Sequence, residues 1–332
     1  VLYSHNRRCI PVKIDRRTFI TGTGAAGALV LLPKDRAQAA IADDSYATLI
    51  DLEKCDGCSD SDSPRCVTSC RTKRSDSFPN PPKEELRDYW PQKKHEDWTG
   101  RKQVTNQFTP YNWIFVQKVT VGEKEISIPR RCMHCDNPPC AKLCPFGVKH
   151  KTKEGPVYID HDLCFGGAKC RTVCPWHVPQ RQAGVGIYTL WQRFLPVGGG
   201  VMYKCDLCRD RLAEQKQPHC MEACPKQAMT IGRRDDIFAQ AEELKSQYRG
   251  HIFGKEENGG TSTLYISSIP FDEIEQALKG QPKEKGVKKP AFSVPANILA
   301  KQKNWAILSL IAPIIGIIAA LGLSGNGNEE DK

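Results

Sequence analysis

Cys132-Met133-His134-Cys135-Asp136-Asn137-Pro138-Pro139-Cys140-Ala141-Lys142-Leu143-Cys144-Pro145 sets four thiols in the order C-x2-C-x4-C-x3-C-P. The same order recurs on both sides of it. Cys55-x2-Cys58-x7-Cys66-x3-Cys70 comes before, and Cys164-x5-Cys170-x3-Cys174-Pro175 and Cys205-x2-Cys208-x11-Cys220-x3-Cys224-Pro225 come after. The chain of 332 residues has 16 cysteines, and every one except Cys9 falls in these four blocks. Repetition of one pattern identifies a repeated structural unit, so the spacing must account for all four blocks together.

Three classes of protein concentrate cysteine: disulfide scaffolds, zinc sites and iron–sulfur ligation. Disulfide density serves chains too short to build a core, and this chain is long enough to build one. Zinc sites use two C-x2-C knuckles or added histidines, without a C-x3-C-P tail. The bacterial iron–sulfur run does end that way: its first three thiolates wrap one cluster and its fourth, before proline, reaches the other cluster of the pair. Soft thiolates suit such clusters, and proline ends the approach by removing a backbone donor. The third block departs from the pattern, because Gly167 stands where a ligand is expected and glycine has no side chain to coordinate. Three complete blocks and one of three thiols match three [4Fe–4S] clusters and one [3Fe–4S] cluster. The alternative at the Gly167 position is a [4Fe–4S] cluster with a non-cysteine ligand, water or hydroxide among them.

The net charge of +10 raises the question of nucleic acid. Much of the excess lies in residues 1–40, where Arg7, Arg8, Lys13, Arg16, Arg17, Lys34 and Arg36 face only Asp15 and Asp35. Nothing afterwards interleaves basic with aromatic residues, so no nucleic-acid partner is expected. There is also no glycine fingerprint of a dinucleotide site, no P-loop and no nucleophile–base set, so the chain is read as non-catalytic. His134, His177 and His219 stand beside the cysteines and are read as donors to sulfur or as packing.

Both ends carry membrane signals. Asp15-Arg16-Arg17-Thr18-Phe19-Ile20 precedes a mildly apolar run to Leu32 and then Ala37-Gln38-Ala39, the pattern of a twin-arginine export signal with a cleavage site. Trp305 to Leu323 is uncharged and has the length of a minimal spanning helix, so a transmembrane anchor is expected over 304–324 with a tail at 325–332. Lysines 283, 285, 288 and 289 favour the opposite orientation from the export signal, which governs because charge bias acts least on a large translocated domain. The expected location is the periplasmic face of a bacterial inner membrane.

The blocks in this order, with Arg131-Cys132-Met133-His134-Cys135, Cys144-Pro145-Phe146-Gly147-Val148, Cys174-Pro175-Trp176-His177-Val178-Pro179 and Lys204-Cys205-Asp206-Leu207-Cys208, resemble the four-cluster iron–sulfur subunits of respiratory oxidoreductases. Formate dehydrogenase, dimethyl sulfoxide and polysulfide reductases and periplasmic hydrogenases have such subunits. The likeness covers roughly residues 45–275, and Gly259 to Tyr265 with Ile269-Pro270-Phe271 looks like the extension of the formate dehydrogenase and hydrogenase branch.

The resemblance implies an α+β fold of two fused bacterial ferredoxin-like modules within 41–275. An outer module comes from blocks 55–70 and 205–224, and an inner one from blocks 132–144 and 164–174. It implies one cluster on Cys55, Cys58, Cys66 and Cys224, a second on Cys205, Cys208, Cys220 and Cys70, and a third on Cys132, Cys135, Cys140 and Cys174. The incomplete one falls to Cys164, Cys170 and Cys144. It further implies an electron relay between a catalytic subunit (a molybdopterin enzyme, a hydrogenase or a multihaem cytochrome) and a membrane subunit that handles quinone. The electron-transfer subunit of respiratory nitrate reductase also departs from cysteine in its third block, at the cluster nearest the membrane, which marks the Gly167 site as the exit or entry point. The competing class is a structural or regulatory metal-binding module, a zinc protein or a cluster-bearing sensor.

Outside the blocks, Trp113 to Val121 alternates as a strand and returns through Glu125 to Ile128 as a hairpin. Ala228 to Gly232 reads as a strand, followed by a helix from Asp235 and Asp236 with Ile237, Ala241, Leu244 and Tyr248 on one face. Residues 71–112 read as a solvated surface insertion and 276–303 as a linker.

Overall fold

Tyr46-Ala47-Thr48-Leu49-Ile50-Asp51 is a run of aromatic, aliphatic and β-branched residues with no polar alternation, the mark of a strand covered on both faces. It becomes β1 (Tyr46–Asp51), an inner strand of a four-stranded sheet. A computed structural model describes residues 45–86, 96–192, 198–282, 287–295 and 298–299. In it β1 pairs in parallel with β10 (Thr263–Ser267) and antiparallel with β8 (Met229–Arg233), while β9 (His251–Phe253) closes the far edge against β10. Three two-stranded antiparallel pairs complete the strands among the described residues: β2 (Phe115–Val121) with β3 (Lys124–Arg130), β4 (Lys149–Lys151) with β5 (Val157–Ile159), and β6 (Gln180–Gln182) with β7 (Val201–Tyr203).

The helices divide by role. The longest among the described residues, α7 (Arg234–Tyr248), lays Ile237 and Ala241 on Leu49, Leu264 and Ile266 of the sheet, with Leu244 and Tyr248 beside them. The i, i+4, i+7, i+11 spacing puts these side chains on one stripe, and each fully buried aliphatic contributes about 1.5–3 kcal/mol. The helix ends at Arg249 in the left-handed region, where the Gly250 N–H reaches back to the Lys245 carbonyl at 2.9 Å. Four helices carry cluster-block thiols: α1 (Arg65–Lys73), α2 (Pro139–Lys142), α3 (Lys169–Thr172) and α6 (His219–Glu222). The others are α4 (Tyr188–Gln192), α5 (Arg209–Ala213) and α8 (Phe271–Gly280).

The expected fold class needs correction. The chain has a mixed α/β fold, and among the described residues no helix is long and apolar enough to cross a membrane. At 15 residues α7 spans about 22 Å, short of a hydrocarbon core, and Asp235, Asp236, Glu242, Glu243 and Lys245 make it polar on its outer side. The expected export signal at 1–40, with Cys9, and the expected anchor at 304–324 with its tail at 325–332 lie outside the described residues.

The stretch read as a solvated insertion and the one read as a linker both contain buried residues. Phe108, Tyr111 and Asn112 of the 71–112 stretch are buried, and the Asn112 amide donates to the Thr105 and Gln107 carbonyls. Phe78 packs edge-on against Tyr111 and Trp113, and Glu96 forms ion pairs with Arg171 of the third block and Arg181 of β6. Within 276–303, Phe292 is buried among Phe253, Tyr265 and Phe271, with the Arg130 guanidinium 4.0 Å from its ring centroid. A single aromatic residue in a proline- and lysine-rich stretch supplies no periodicity from which to read such docking.

Candidate metal centres

The backbone repeats in part with the cysteine pattern. In three blocks the last cysteine opens a turn whose fourth residue is left-handed: Gly147, His177 and Gln227 have φ of 66°, 52° and 47°. Their N–H groups close on the carbonyls of Cys144, Cys174 and Cys224 at 3.1 to 3.2 Å. In the C-x2-C loops the intervening aspartates brace the backbone, because the Cys58 and Cys208 N–H groups donate to Asp56 and Asp206 carboxylates at 2.9 and 3.0 Å. The complete blocks enter the helix of their third cysteine from proline, at Pro64, Pro138 and Pro218. The third block enters from Ala168 at φ 54°.

The antiparallel pairs bring thiols from different blocks to common ends. Antiparallel pairing of Ile50 with Met229 sets Cys55, which follows β1, beside Cys224, which precedes β8. Pairing of Lys149 with Ile159 likewise sets Cys144 and Cys164 at one end of the β4–β5 hairpin. Three cavities result. Cys55, Cys58, Cys66 and Cys224 line the first; Cys132, Cys135, Cys140 and Cys174 the second; and Cys70, Cys205, Cys208 and Cys220 the third. For the remaining group, Cys164 and Cys170 are buried close enough to influence each other, and Cys144 is half-buried. Gly167 is exposed beside them.

The three cavities suit a polynuclear cluster. Each is lined by four thiols from two blocks. The walls also hold donors with nothing to donate to: Trp176 Nε1 at the second cavity, and Arg74 Nε and Arg131 Nε at the third. An electron-rich group with sulfur acceptors would satisfy them. Burial pushes the Cys55 thiol up to about 11 and those of Cys174, Cys208 and Cys220 up to about 12, and neighbouring sulfurs push in the same direction. Four thiolates in such a place require cationic metal to offset them.

The sites adjoin in a line. Cys66 of the first cavity feels the charge of Cys220 of the third; Cys205 of the third feels Cys132 of the second; Cys140 of the second feels Cys170 of the incomplete group. His134 spans the junction between the second and third cavities. Its Nδ1 accepts the Val157 N–H at 2.9 Å, which leaves Nε2 protonated and facing Cys205 Sγ at 3.8 Å. Burial, then the nearby charges of Lys204 and Arg131, hold this imidazole well below its ordinary range, so it is neutral. Of the other two histidines, His177 occupies the turn after Cys174, and His219 lies 3.7 Å from Glu222.

Residues missed from sequence include Asn258, whose Nδ2 donates to Cys135 Sγ at 3.3 Å, and Lys204, whose Nζ lies 3.6 Å from Cys132 Sγ. Lys204 had a local signal, since it directly precedes Cys205. Asn258 had none, because only the bridge between Cys135 and Thr261 brings it there.

Comparison with known proteins follows the same lines. The 4Fe-4S dicluster domain family matches residues 54–148 and again residues 124–192. A protein of Nitratidesulfovibrio vulgaris strain Hildenborough is 31% identical over 271 residues, covering 78% of this chain and 65% of the relative. The hydrogenase-2 operon protein HybA of Escherichia coli O157:H7 is 28% identical over 272 residues, covering 70% of this chain and 72% of the relative. The B subunit of anaerobic dimethyl sulfoxide reductase from Escherichia coli K12 is 31% identical over 192 residues, covering 58% of this chain and 75% of the relative. The family matches join neighbouring blocks, whereas the first cavity joins the first block to the fourth.

Proposed function

The protein belongs to the iron–sulfur electron-transfer subunits of oxidoreductase complexes, and from that premise we propose that it is a non-catalytic relay with four cluster sites in a line. The observation that carries this reading is the set of three cavities, each lined by four thiols drawn from two different blocks. In this reading Cys55, Cys58, Cys66 and Cys224 hold the first [4Fe–4S] cluster, and Cys70, Cys205, Cys208 and Cys220 the second. Cys132, Cys135, Cys140 and Cys174 hold the third. Cys144, Cys164 and Cys170 hold a [3Fe–4S] cluster at the Gly167 position. Bound there, the clusters supply reversible one-electron storage.

The chain's own residues then do three things. Thiolates fix each site from two blocks at once, so that neighbouring sites share a rigid frame. Apolar walls such as Val116, Met229, Val157 and Trp176 keep water out, which limits reorganisation. Donors such as Asn258 and His134 hydrogen-bond to sulfur and set its basicity. The partners proposed are a catalytic oxidoreductase subunit and a membrane subunit that handles quinone, the latter facing the Gly167 end. Phe146 and Leu163 support that placement, at 51% and 53% exposed on the segments that carry Cys144 and Cys164. The Arg16-Arg17 pair supports export to the periplasmic side.

The test is anaerobic purification of the full chain with co-expressed partners. The expected result is about 15 iron atoms per chain, a broad visible absorbance bleached by dithionite, and an oxidised-state paramagnetic signal near g of about 2.0. A colourless chain with stoichiometric zinc refutes the reading.

A further inference from the structure

Three cations are buried near the inner sites, none of them in an ion pair among the described residues. Nearby Lys151 and Arg234, by contrast, share Asp136. Lys204 is 3% exposed, and its ammonium donates to the Val157 carbonyl and to the Cys205 carbonyl at 2.8 Å as it approaches Cys132 Sγ. Arg131 is 2% exposed, donates to the Cys132 carbonyl at 3.3 Å and to Thr48 Oγ1, and keeps Nε without an acceptor. Lys149 is 5% exposed and its Nζ has no acceptor at all. A buried ammonium with only carbonyl partners, or with none, is unfavourable unless an anion stands close by.

Their positions are ordered. Lys204 sits at the junction of the second and third cavities, where its charge acts on Cys132, Cys140 and Cys205. Lys149 opens β4 opposite Ile159, at the hairpin end where Cys144 and Cys164 lie, and its charge acts on Cys164 and on Cys140 of the second cavity. The Cys55 cavity is different: the cation in its wall is Lys226, 59% exposed and 4.0 Å from the Asp56 carboxylate.

We propose that Lys204 and Lys149 are positioning residues for charge: each fixed ammonium is shared by two neighbouring cluster sites, raises the reduction potential of both, and offsets the repulsion between electrons held on neighbours. The inference rests on the reading that the cavities hold clusters, whose potentials respond to net charge and to hydrogen bonds at sulfur. No bond is made or broken in the effect; each site takes up one electron, supplied in the test by dithionite.

The experiment is a potentiometric titration of the full chain, followed by electron paramagnetic resonance, in Lys204→Met and Lys149→Met. Centres are assigned through Cys58→Ser, Cys208→Ser, Cys135→Ser and Cys170→Ser. Lys204→Met should lower the reduction equilibrium constant of the Cys132 and Cys205 sites at least tenfold, which is about 59 mV per tenfold for one electron. Lys149→Met should do the same at the Cys132 and Cys164 sites, and neither variant should move the Cys55 site. Lys204→Arg and Lys149→Arg, which keep the charge, should stay within about threefold of wild type.

Unmoved potentials at wild-type iron content overturn the proposal, and so does an equal shift at all four sites. Loss of clusters in Met and Arg variants alike also overturns it, because shape rather than charge is then the requirement; loss in Met alone supports it. A wild-type chain without iron and sulfide sinks the cluster reading itself before any potential is measured.

Discussion

Gly167→Cys tests whether the third block lacks a ligand or has been rebuilt to exclude one. Gly167 is exposed and its backbone lies outside the left-handed region, so an L residue meets no conformational penalty there. A Cβ at this position would find Phe146 Cε2 at 3.6 Å as its nearest neighbour, an ordinary contact, with the Phe146 ring stacked on Phe165 at 5.0 Å. Replacing glycine where the backbone permits contributes about 0.4–1 kcal/mol by restricting the unfolded chain, so the melting temperature should stay within about 4 °C of wild type. The added thiol completes the block, so iron should rise by about one atom per chain and the signal near g of about 2.0 should vanish. Gly166→Ala is the contrasting control. Gly166 has φ of 68° and a Cβ there would run into the Gly200 carbonyl oxygen, so that variant should lose at least about 2 kcal/mol. Thermal denaturation and iron analysis read both variants. If the signal persists in Gly167→Cys at unchanged iron content, Gly167 is not the vacant ligand position. If Gly166→Ala melts like wild type, the loop geometry that places Gly167 is wrong.

Cys224→Ser should remove the centre of the Cys55 site before that of the Cys205 site, although Cys224 belongs to the Cys205 block; spectra showing the reverse order would contradict the cross-block cavities. Asp136→Ala leaves Arg234 and Lys151 without their shared carboxylate and should cost about 3 kcal/mol in urea denaturation, against a few tenths for removing the exposed Lys216–Glu214 pair. Burial raises the Glu96 carboxyl, but the Arg171 hydrogen bond and the charges of Arg181 and Arg171 outweigh it and hold the group below its ordinary 4.5. Because the folded form binds this proton more weakly, the pair's contribution is present above 4.5 and is lost as pH falls through the lowered value. Limited proteolysis near residue 96 should therefore accelerate below that point, and Glu96→Gln should show the fast rate at neutral pH.

Much of the site could be read from the sequence because iron–sulfur chemistry imposes spacing. The hairpin at 115–130 and α7 follow from alternation and from the Ile237–Ala241 stripe, whereas the left-handed turns at Gly147, His177 and Gln227 went unread. What else escaped was non-local. Asn258 reaches Cys135 across a bridge from Cys135 to Thr261, and Phe292 finds its aromatic neighbours only after β9, β10 and α8 have assembled. The parallel pairing of β1 with β10 was equally silent, since a continuous apolar run does not name its partner.

That sheet explains why the order of blocks in sequence is not the order of sites in space. β1 leads into the first block and β8 leaves the fourth, so their antiparallel pairing joins the ends of the four-block run and nests the middle two blocks between them. The β6–β7 pairing then holds the exit from the nested pair, with Gln180 opposite Tyr203, so that Cys174 and Cys205 emerge at one end and their two cavities adjoin. Pairing the first block with the second in tandem would have needed only one passage of the chain between block pairs. Nesting instead requires the chain to pass between the outer and the inner pair of blocks twice, and Arg131, His134 and Lys204 lie where it passes. The junction that is topologically unavoidable is therefore also the place where buried charge and a neutral imidazole can act on two sites at once.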